Sequence, residues 1–228
     1  MVMLNYQVDA ALLKALVPRG TELDAFEGRM LVSAVGFRFL RTRIFGALTV
    51  PFHSNFDEVN LRFYVRRLDA SGDVRRGVVF IREIVPRRAI ALVARIAYNE
   101  NYSCYSMRHH VKRAGGGLRA EYEWRLGGKW LALRAEADGE PAMPAENSIE
   151  QFISEHYWGY SRQRDGGTLE YQVAHPQWGV WHGRRAELDG DSAAMFGPAF
   201  GEAFARKPDS AFIADGSPVR VFAGKRIE

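Results

Sequence analysis

The sequence predicts a β-rich α+β fold in which mainly antiparallel strands form a barrel-like sheet with three or four helices. Segments with strand character follow one another in consecutive runs, and glycine turns join them. Few long helical patterns separate these runs. A parallel sheet would need a helix between successive strands, so the order of the segments favours an antiparallel or mixed sheet.

Length and composition are typical of one globular domain spanning residues 1–228. The chain has 228 residues and a hydrophobic share of 47%, which is far above the composition of chains that stay disordered. β-rich architectures of this length are often a single unit. The sequence therefore provides enough apolar residues for a sizeable core.

Charge and targeting patterns argue against nucleic-acid and membrane partners. The chain has 31 basic and 27 acidic residues, and its arginines are spread over every segment instead of forming one basic run. The first residues lack the pattern of a signal peptide, and no apolar run approaches the ~20 residues of a membrane span. The single cysteine, Cys104, cannot form an internal disulfide. These features predict a cytoplasmic protein.

The first elements are a short helix and a hairpin. Asp9 is a suitable N-cap for the helix, and Pro18 ends it. The following pattern is extended, and the Glu27-Gly28 pair between residues 21–26 and 29–40 predicts a tight turn.

The clearest strand covers residues 57–66, where apolar and polar side chains alternate. Its polar face carries Glu58, Asn60, Arg62 and Tyr64. These four groups must meet either bulk water or a polar cavity, and in a closed barrel this face becomes the lumen. In the next strand, residues 76–84, Val79, Ile81 and Glu83 are expected on one face and Arg82 on the other.

The rest of the chain alternates short strands with three helical patterns. Pro86 opens the best amphipathic helix, in which Ala89, Ile90, Val93, Ala94 and Ala97 recur at helical spacing. Ser148 and Gln151 form a capping box. The last helix, residues 191–204, contains a predicted break at Gly197-Pro198. Further strands are expected at residues 102–111, 118–126, 129–137, 168–174 and 180–188.

Most catalytic and cofactor motifs are absent from the sequence. It has no Gly-x-Ser-x-Gly elbow, no Walker loop and no strand-linked Gly-x-Gly-x-x-Gly. His109 and His110 are neighbours in a predicted strand, so their rings point to opposite faces and cannot chelate one ion. We therefore predict neither a metal nor a cofactor.

Two aromatic groups have a functional and a structural interpretation. Residues 175–178 (His-Pro-Gln-Trp) can line an aromatic pocket, or Trp178 and Trp181 can simply fill the core. Residues 155–157 (Glu-His-Tyr) and Tyr160 can offer an acid or base near a cavity, or can form a solvated helix end.

Several motifs in one order resemble a known family. They are Val8-Asp9 with Leu16-Val17-Pro18, the strand Phe56-Asp57-Glu58-Val59-Asn60-Leu61-Arg62, residues 82–90 with Tyr98-Asn99-Glu100-Asn101-Tyr102, Glu155-His156-Tyr157, and His175-Pro176-Gln177-Trp178. Along nearly its whole length the sequence resembles the YqjF-like bacterial family of uncharacterised proteins, also called domain of unknown function 2071. That family is similar in fold to acetoacetate decarboxylase.

The resemblance implies a β-rich barrel-like fold with an internal pocket and a tendency to form homo-oligomers. Decarboxylases of that superfamily carry an Arg-Glu strand followed by Pro-Lys-Lys, whose first lysine forms a Schiff base. Here Arg82-Glu83 is followed by Pro86-Arg87-Arg88, at a somewhat shorter spacing. A guanidinium stays protonated and cannot attack a carbonyl as a free amine. The resemblance therefore implies a pocket without Schiff-base chemistry.

Our first functional hypothesis is a pocket that binds a small anionic, keto-acid-like ligand, with Glu58 or Glu83 handling a proton. The expected ligand-binding residues are Asn60, Arg62, Arg82, Arg87, Tyr102, Tyr157, His175 and Trp178. One alternative is a structural or interaction protein whose cavity is filled by its own side chains. Another is a lysine-independent lyase, hydratase or aldolase, so whether the protein is an enzyme stays open.

A final expectation concerns Arg82 and Glu83, which are adjacent and cannot both face the interior unless a bulge re-aims one of them. We expect Glu83 inside, with Arg62 as its partner, because a buried carboxylate without a cation is costly. The other residue should form an ion pair on the opposite face or at the rim.

Overall fold

The computed structural model describes residues 1–42, 54–97 and 99–227, of which 93–97 are described by their backbone only. Fifteen strands and five helices lie in these ranges. The strands are β1 (Val2–Val8), β2 (Glu22–Leu23), β3 (Met30–Phe39), β4 (Phe56–Leu68), β5 (Val74–Val85), β6 (Tyr102–Cys104), β7 (Met107–Ala114), β8 (Gly117–Leu126), β9 (Lys129–Asp138), β10 (Trp158–Arg162), β11 (Thr168–Ala174), β12 (Val180–Asp189), β13 (Ser210–Ala214), β14 (Arg220–Val221) and β15 (Lys225–Ile227). The helices are α1 (Ala10–Lys14), α2 (Arg88–Ala97), α3 (Ile149–Ser154), α4 (Ser192–Phe196) and α5 (Pro198–Phe204).

One mixed sheet contains all of these strands. Its main path runs β14-β11-β10-β5-β4-β3-β1-β13-β12-β9-β8-β7. Most pairs are antiparallel, and β5 is the exception because it pairs in parallel with both β6 and β10. The β-rich α+β class is therefore confirmed. Within the described ranges the sheet does not close on itself, so the predicted barrel is not confirmed.

The sheet curves so that β3 and β4 face β8 and β9 across the largest apolar core. Leu61 and Phe63 extend into this core from the apolar face of β4. Tyr122, Trp124 and Leu133 extend into it from β8 and β9 on the opposite side. All five side chains are buried. The face of β4 that turns inward is thus the apolar one, and its own side chains fill the space. The polar face of this strand therefore points away from this core.

The opposite face of the sheet, which carries the polar residues of β4, is covered by α2 and α3. Phe152 and Ile153 of α3 pack with Tyr64 in a second apolar cluster. Ala91 of α2 packs with Phe56 at the start of β4. Between these two clusters lies the stretch of β4 that contains Glu58, Asn60 and Arg62, and it becomes the candidate site described below.

Local signals placed several helix ends correctly. Asp9 caps α1, and its carboxylate accepts from the Ala11 N–H at 2.7 Å. Ser148 caps α3 by accepting from the Gln151 N–H at 3.2 Å. Gly197 separates α4 from α5, which confirms the predicted break and gives five helices where three or four were expected. None of the helices in the described ranges has the length and apolar character needed to cross a bilayer.

The elements that the sequence patterns placed wrongly are those whose strand pairing depends on other parts of the chain. The segment predicted to form a hairpin with β3 contributes only β2, which pairs with β4, while Phe26 and Arg29 close a tight turn. The strand expected at residues 102–111 divides into β6, which pairs with β5, and β7, which pairs with β8. The helical positions Val93, Ala94 and Ala97 lie outside the described side chains, and Tyr98 lies outside the described residues.

Candidate functional site

Three carboxyl groups meet on the covered face of the sheet. Glu58 of β4 and Glu83 of β5 are each only 2% exposed, and Glu100, in the connection from α2 to β6, is 7% exposed. The Tyr102 hydroxyl donates to Glu58 Oε2 at 3.2 Å. From β11, the Tyr171 hydroxyl donates to Glu100 Oε1 at 3.1 Å. We call this group, Glu58, Glu83, Glu100, Tyr102 and Tyr171, the carboxyl cluster.

Burial and mutual repulsion keep protons on these acids. Burial raises the pKa of Glu58 to about 7, although hydrogen bonds from Asn60 and Tyr102 oppose the shift. It raises the pKa of Glu100 to about 8, opposed by the bond from Tyr171 and helped by the charge of Glu58. The pKa of Glu83 lies well above its usual range because of burial and because of the two neighbouring carboxylates. At neutral pH the cluster therefore contains carboxylic acids that can donate hydrogen bonds as well as carboxylates that accept them.

A β-bulge in β5 brings Glu83 into this cluster. Asn60 of β4 pairs with Glu83. Two residues further along β4, Arg62 pairs with Phe80, so Ile81 is an extra residue on β5. An extra residue in one strand reverses the alternation of its faces beyond that point. Glu83 consequently shares its face with Asn60 and with Phe80.

The same bulge corrects our interpretation of this strand. Val79 pairs with Phe63 and lies in the apolar core, so the expectation that it shares a face with Glu83 is wrong. Arg82 pairs with Leu61 and is therefore placed on the core side of the sheet. Glu83 is buried, as expected. Among the described residues Arg82 makes no ion pair within 4 Å, which contradicts the ion pair expected for it.

Arg62 extends the site along β4, but it is not the partner of Glu83. No arginine of the described residues forms an ion pair with Glu83, so that expectation is wrong. The positive charge of Arg62 instead lowers the pKa of Glu58, against the larger effect of burial. Its guanidinium donates through Nη2 to the Ile153 carbonyl at 3.1 Å and lies 5.8 Å from the centre of the Tyr64 ring.

Among the residues that the structure describes, three buried polar atoms of this stretch have no hydrogen-bond partner. They are Asn60 Oδ1, Arg62 Nε and Glu83 Oε2. Buried polar atoms in folded proteins are nearly always paired with protein or with ordered water, because leaving one unpaired costs about 1–3 kcal/mol. Asn60 Oδ1, Arg62 Nε and Glu83 Oε2 lie on the neighbouring strands β4 and β5, where an ordered water or a small molecule would find hydrogen-bond partners.

The predicted aromatic group lies at the far side of Arg62. The His175 ring stacks on Trp178 with centroids 4.0 Å apart, and Tyr157 lies 4.9 Å from His175. Burial lowers the pKa of His175, and the nearby charge of Arg62 lowers it further. Trp178 is buried and donates to Ser217 Oγ at 2.8 Å, so the core-filling interpretation applies to its indole. Tyr157 and His175 remain partly accessible.

We call the line from the carboxyl cluster through Asn60 and Arg62 to Tyr157 and His175 the polar strip. It contains most of the site residues expected from the sequence. Arg87 is not in it, because this arginine is exposed and lines a separate pocket beside α2. His156, next to Tyr157, is buried and lies 3.1 Å from Asp24 Oδ2. Its other ring nitrogen contacts the Phe152 carbonyl, which is consistent with a structural role.

The site also contains residues that were not selected from the sequence. Glu100 and Tyr171 come from a loop and from an antiparallel strand distant in sequence, and no local pattern marks them as neighbours. Glu100 did stand in the Tyr98-Asn99-Glu100-Asn101-Tyr102 motif that carried the family resemblance. Within the described residues no group of three or more His, Cys, Asp or Glu side chains is arranged to hold a metal ion.

Comparison with known proteins places the chain among its relatives. The DUF2071 family, described as an uncharacterized conserved protein, matches residues 1–218. The chain belongs to this family. It is also 26% identical over 174 residues to the uncharacterized protein YqjF of Bacillus subtilis (strain 168), covering 75% of this chain and 67% of that protein. The resemblance noted in the sequence is thereby confirmed.

Two solved structures share the fold of this DUF2071 protein. Acetoacetate decarboxylase from Legionella pneumophila is similar with a TM-score of 0.61 and 15% identity, over 100% of this chain and 84% of the enzyme. The enduracididine biosynthesis enzyme MppR, in complex with the condensation product of pyruvate and imidazole 4-carboxaldehyde, has a TM-score of 0.59 and 16% identity, over 99% and 83% of the two chains. At such identities the likeness shows the fold alone.

Proposed function

We propose that the polar strip binds a small anionic, keto-acid-like molecule without forming a Schiff base. The observation that carries the proposal is the set of three unpaired buried atoms on Asn60, Arg62 and Glu83. A carboxylate of the ligand pairs with the guanidinium of Arg62. The adjacent carbonyl oxygen accepts a hydrogen bond from a protonated acid of the carboxyl cluster, in which Glu83 has the strongest reason to keep its proton.

The lysines of the chain support a mechanism without covalent attachment. All five, Lys14, Lys112, Lys129, Lys207 and Lys225, are exposed. A lysine that attacks a carbonyl at neutral pH needs a depressed pKa, which usually comes from desolvation or from a neighbouring cation. The stretch that resembles the decarboxylase Pro-Lys-Lys carries Arg87 and Arg88, which cannot serve as nucleophiles.

The alternative of a lyase, hydratase or aldolase uses the same residues. A protonated carboxyl beside a bound carbonyl can polarise it, and a neighbouring carboxylate can remove a proton from the adjacent carbon. MppR, which shares the fold, is described in complex with a condensation product of pyruvate. The competing structural or interaction role takes its support from the apolar core, which fills the space between the facing parts of the sheet.

Ligand binding at Arg62 should be measurable as thermal stabilisation by pyruvate and acetoacetate. A ligand at about one hundred times its Kd stabilises the folded state by about 2.7 kcal/mol. Arg62→Gln removes a charge-assisted contact and should weaken binding by about tenfold or more. Arg82→Gln is the matched control, because Arg82 lies on the other face, and it should bind like the wild type. No stabilisation of the wild type by any small keto acid, or equal loss in both variants, would contradict the proposal.

Borohydride treatment in the presence of pyruvate or acetoacetate should leave the mass of the protein unchanged. All five lysines are exposed, so none of them lies in an enclosed site that would hold a carbonyl group beside its amine. Intact-mass spectrometry after reduction measures this directly. A stoichiometric adduct on one lysine, together with loss of ligand binding, would show that Schiff-base chemistry occurs.

A further inference from the structure

A second site, separate from the polar strip, lies at the N-terminal end of α2. Two adjoining surface pockets of about 410 and 500 Å³ share Pro86, Arg87 and Ser106. One pocket is also lined by Arg38, Asp57 and His109, and the other by Arg88, Ala89 and Cys104. Three arginines from β3 and from the start of α2 therefore surround one concave region.

The N-terminal end of α2 carries positively charged side chains and no acidic side chain. α2 is ten residues long and has no acidic residue in its first turn. Arg87 precedes it, Arg88 begins it, and neither side chain can accept a hydrogen bond from the free N–H groups. The N-terminus of a helix favours negative charge, so two cations at this position are unfavourable unless an anion joins them.

A chain of contacts beside this helix end leaves one buried acceptor open. The Arg38 guanidinium can only donate, so it donates through Nη1 to His109 Nε2 at 3.2 Å. His109 therefore carries its proton on Nδ1 and donates to Asp57 Oδ2 at 2.9 Å. Asp57 is 8% exposed, and its second oxygen, Oδ1, has no hydrogen-bond partner in the part of the chain that the structure describes. The Arg38 Nε lies 3.9 Å from Oδ1.

We infer that this region binds hydrogen phosphate, either as inorganic phosphate or as a monoprotonated phosphate monoester. The anionic oxygens of the phosphate accept hydrogen bonds from the guanidinium groups of Arg87 and Arg88 and from the backbone N–H groups in the first turn of α2. The remaining P–OH group donates to Asp57 Oδ1. Arg38 exposes 42% of its side chain and can contact the phosphate while His109 stays fixed by Asp57.

Other anions match this set of groups less well. Sulfate has the same shape as phosphate but carries no proton at neutral pH, so it would place an oxygen lone pair against the Asp57 carboxylate. Acetate has one negative charge and no hydroxyl donor. A nucleic-acid backbone phosphate likewise has no proton to donate to the Asp57 carboxylate.

Cys104 is the reporter for this site. It is the chain's single cysteine, it is exposed, and it lines the pocket with Arg87 and Arg88. Alkylation by the neutral reagent iodoacetamide can therefore be followed by intact mass at constant ionic strength. Phosphate at about ten times its Kd should slow the reaction of the wild type roughly tenfold by mass action. Sulfate and acetate should slow it much less.

Two arginine variants test whether phosphate binds at the N-terminal end of α2. Arg87→Gln should raise the phosphate concentration needed for protection by about tenfold or more. Arg164→Gln changes an exposed arginine in the turn between β10 and β11 and should leave protection as in the wild type. Each protein is compared with and without phosphate, so a change in basal thiol reactivity does not affect the result. Equal protection by sulfate or acetate, or unchanged protection in Arg87→Gln, would overturn the inference.

Discussion

The free energy of unfolding should decrease by several kcal/mol as the pH rises from about 4.5 to 8. Glu58 and Glu100 have folded-state pKa values of about 7 and about 8, against an ordinary value of 4.5. A carboxyl whose pKa is raised by folding binds more protons in the folded state than in the unfolded state. Its contribution is fully present below the unfolded-state pKa and is lost as the pH rises through the folded-state pKa. Glu58 alone accounts for on the order of 3 kcal/mol.

Other groups leave the sign of this effect unchanged. Asp24 and Glu123 have lowered pKa values, so their stabilising contributions are lost only in acid, below this window. His156, His175 and the Met1 amino group act in the opposite direction, because burial lowers their pKa values, that of Met1 to about 6. The hydrogen bond of His156 with Asp24 and the charge of Asp215 near Met1 offset part of these effects. The three acids of the carboxyl cluster therefore dominate between neutral and mildly acidic pH.

Urea unfolding at a series of pH values measures the effect, and single substitutions assign it. Glu100→Gln and Glu58→Gln should each flatten the pH dependence above about pH 5, because the amide has no proton to lose. Glu140→Gln replaces an exposed glutamate and should reproduce the wild-type curve within error. If wild-type stability instead rises between pH 5 and pH 8, or if the cluster variants keep the full slope, the three acids are ionised at neutral pH without penalty.

The strands with strict alternation or with glycine turns could be predicted from the sequence, because both signals are local. The β4 strand was expected at residues 57–66 and covers Phe56–Leu68, and β11 covers the expected residues 168–174. The strands β1, β10 and β13 were not predicted. Their pairing partners β3, β5 and β12 are distant in sequence, and such pairing leaves no mark in a local window. Closure of the sheet depends on the same kind of information.

The candidate site was predicted in its composition but not in its geometry. Glu58, Asn60 and Arg62 were selected because four polar groups on one strand face needed an explanation, and all three lie in the polar strip. The burial of Glu83 was expected correctly, but for a wrong reason. Its position depends on the bulge at Ile81, and the one glycine in residues 76–84, Gly77, lies four residues before that bulge and does not mark it. The neighbouring carboxyl Glu100 depends on a loop that only the assembled sheet brings near.

A glycine beneath the carboxyl cluster shows how closely this geometry is packed. Gly159 of β10 pairs with Tyr171 of β11. The Tyr171 ring crosses over Gly159, and from there its hydroxyl reaches Glu100 at 3.1 Å. A Cβ atom at position 159 would lie 2.2 Å from Cζ of that ring, which is far inside van der Waals contact. The space that Gly159 leaves is therefore occupied by the side chain that holds one of the three acids.

Gly159→Ala should destabilise the protein by about 3 kcal/mol or more and should separate Tyr171 from Glu100, since overpacking forces rings and backbone to shift. Gly117→Ala is the control, because a Cβ there meets nothing closer than a carboxylate oxygen at 3.3 Å, and we expect a change below about 1 kcal/mol. In a Tyr171→Ala background the Gly159→Ala substitution should cost much less, since the clashing ring is gone. Urea unfolding of the four proteins in this cycle gives the coupling energy directly. Equal costs of Gly159→Ala with and without the Tyr171 ring would mean that the ring does not occupy this space, and that Glu100 is held in the cluster by other contacts.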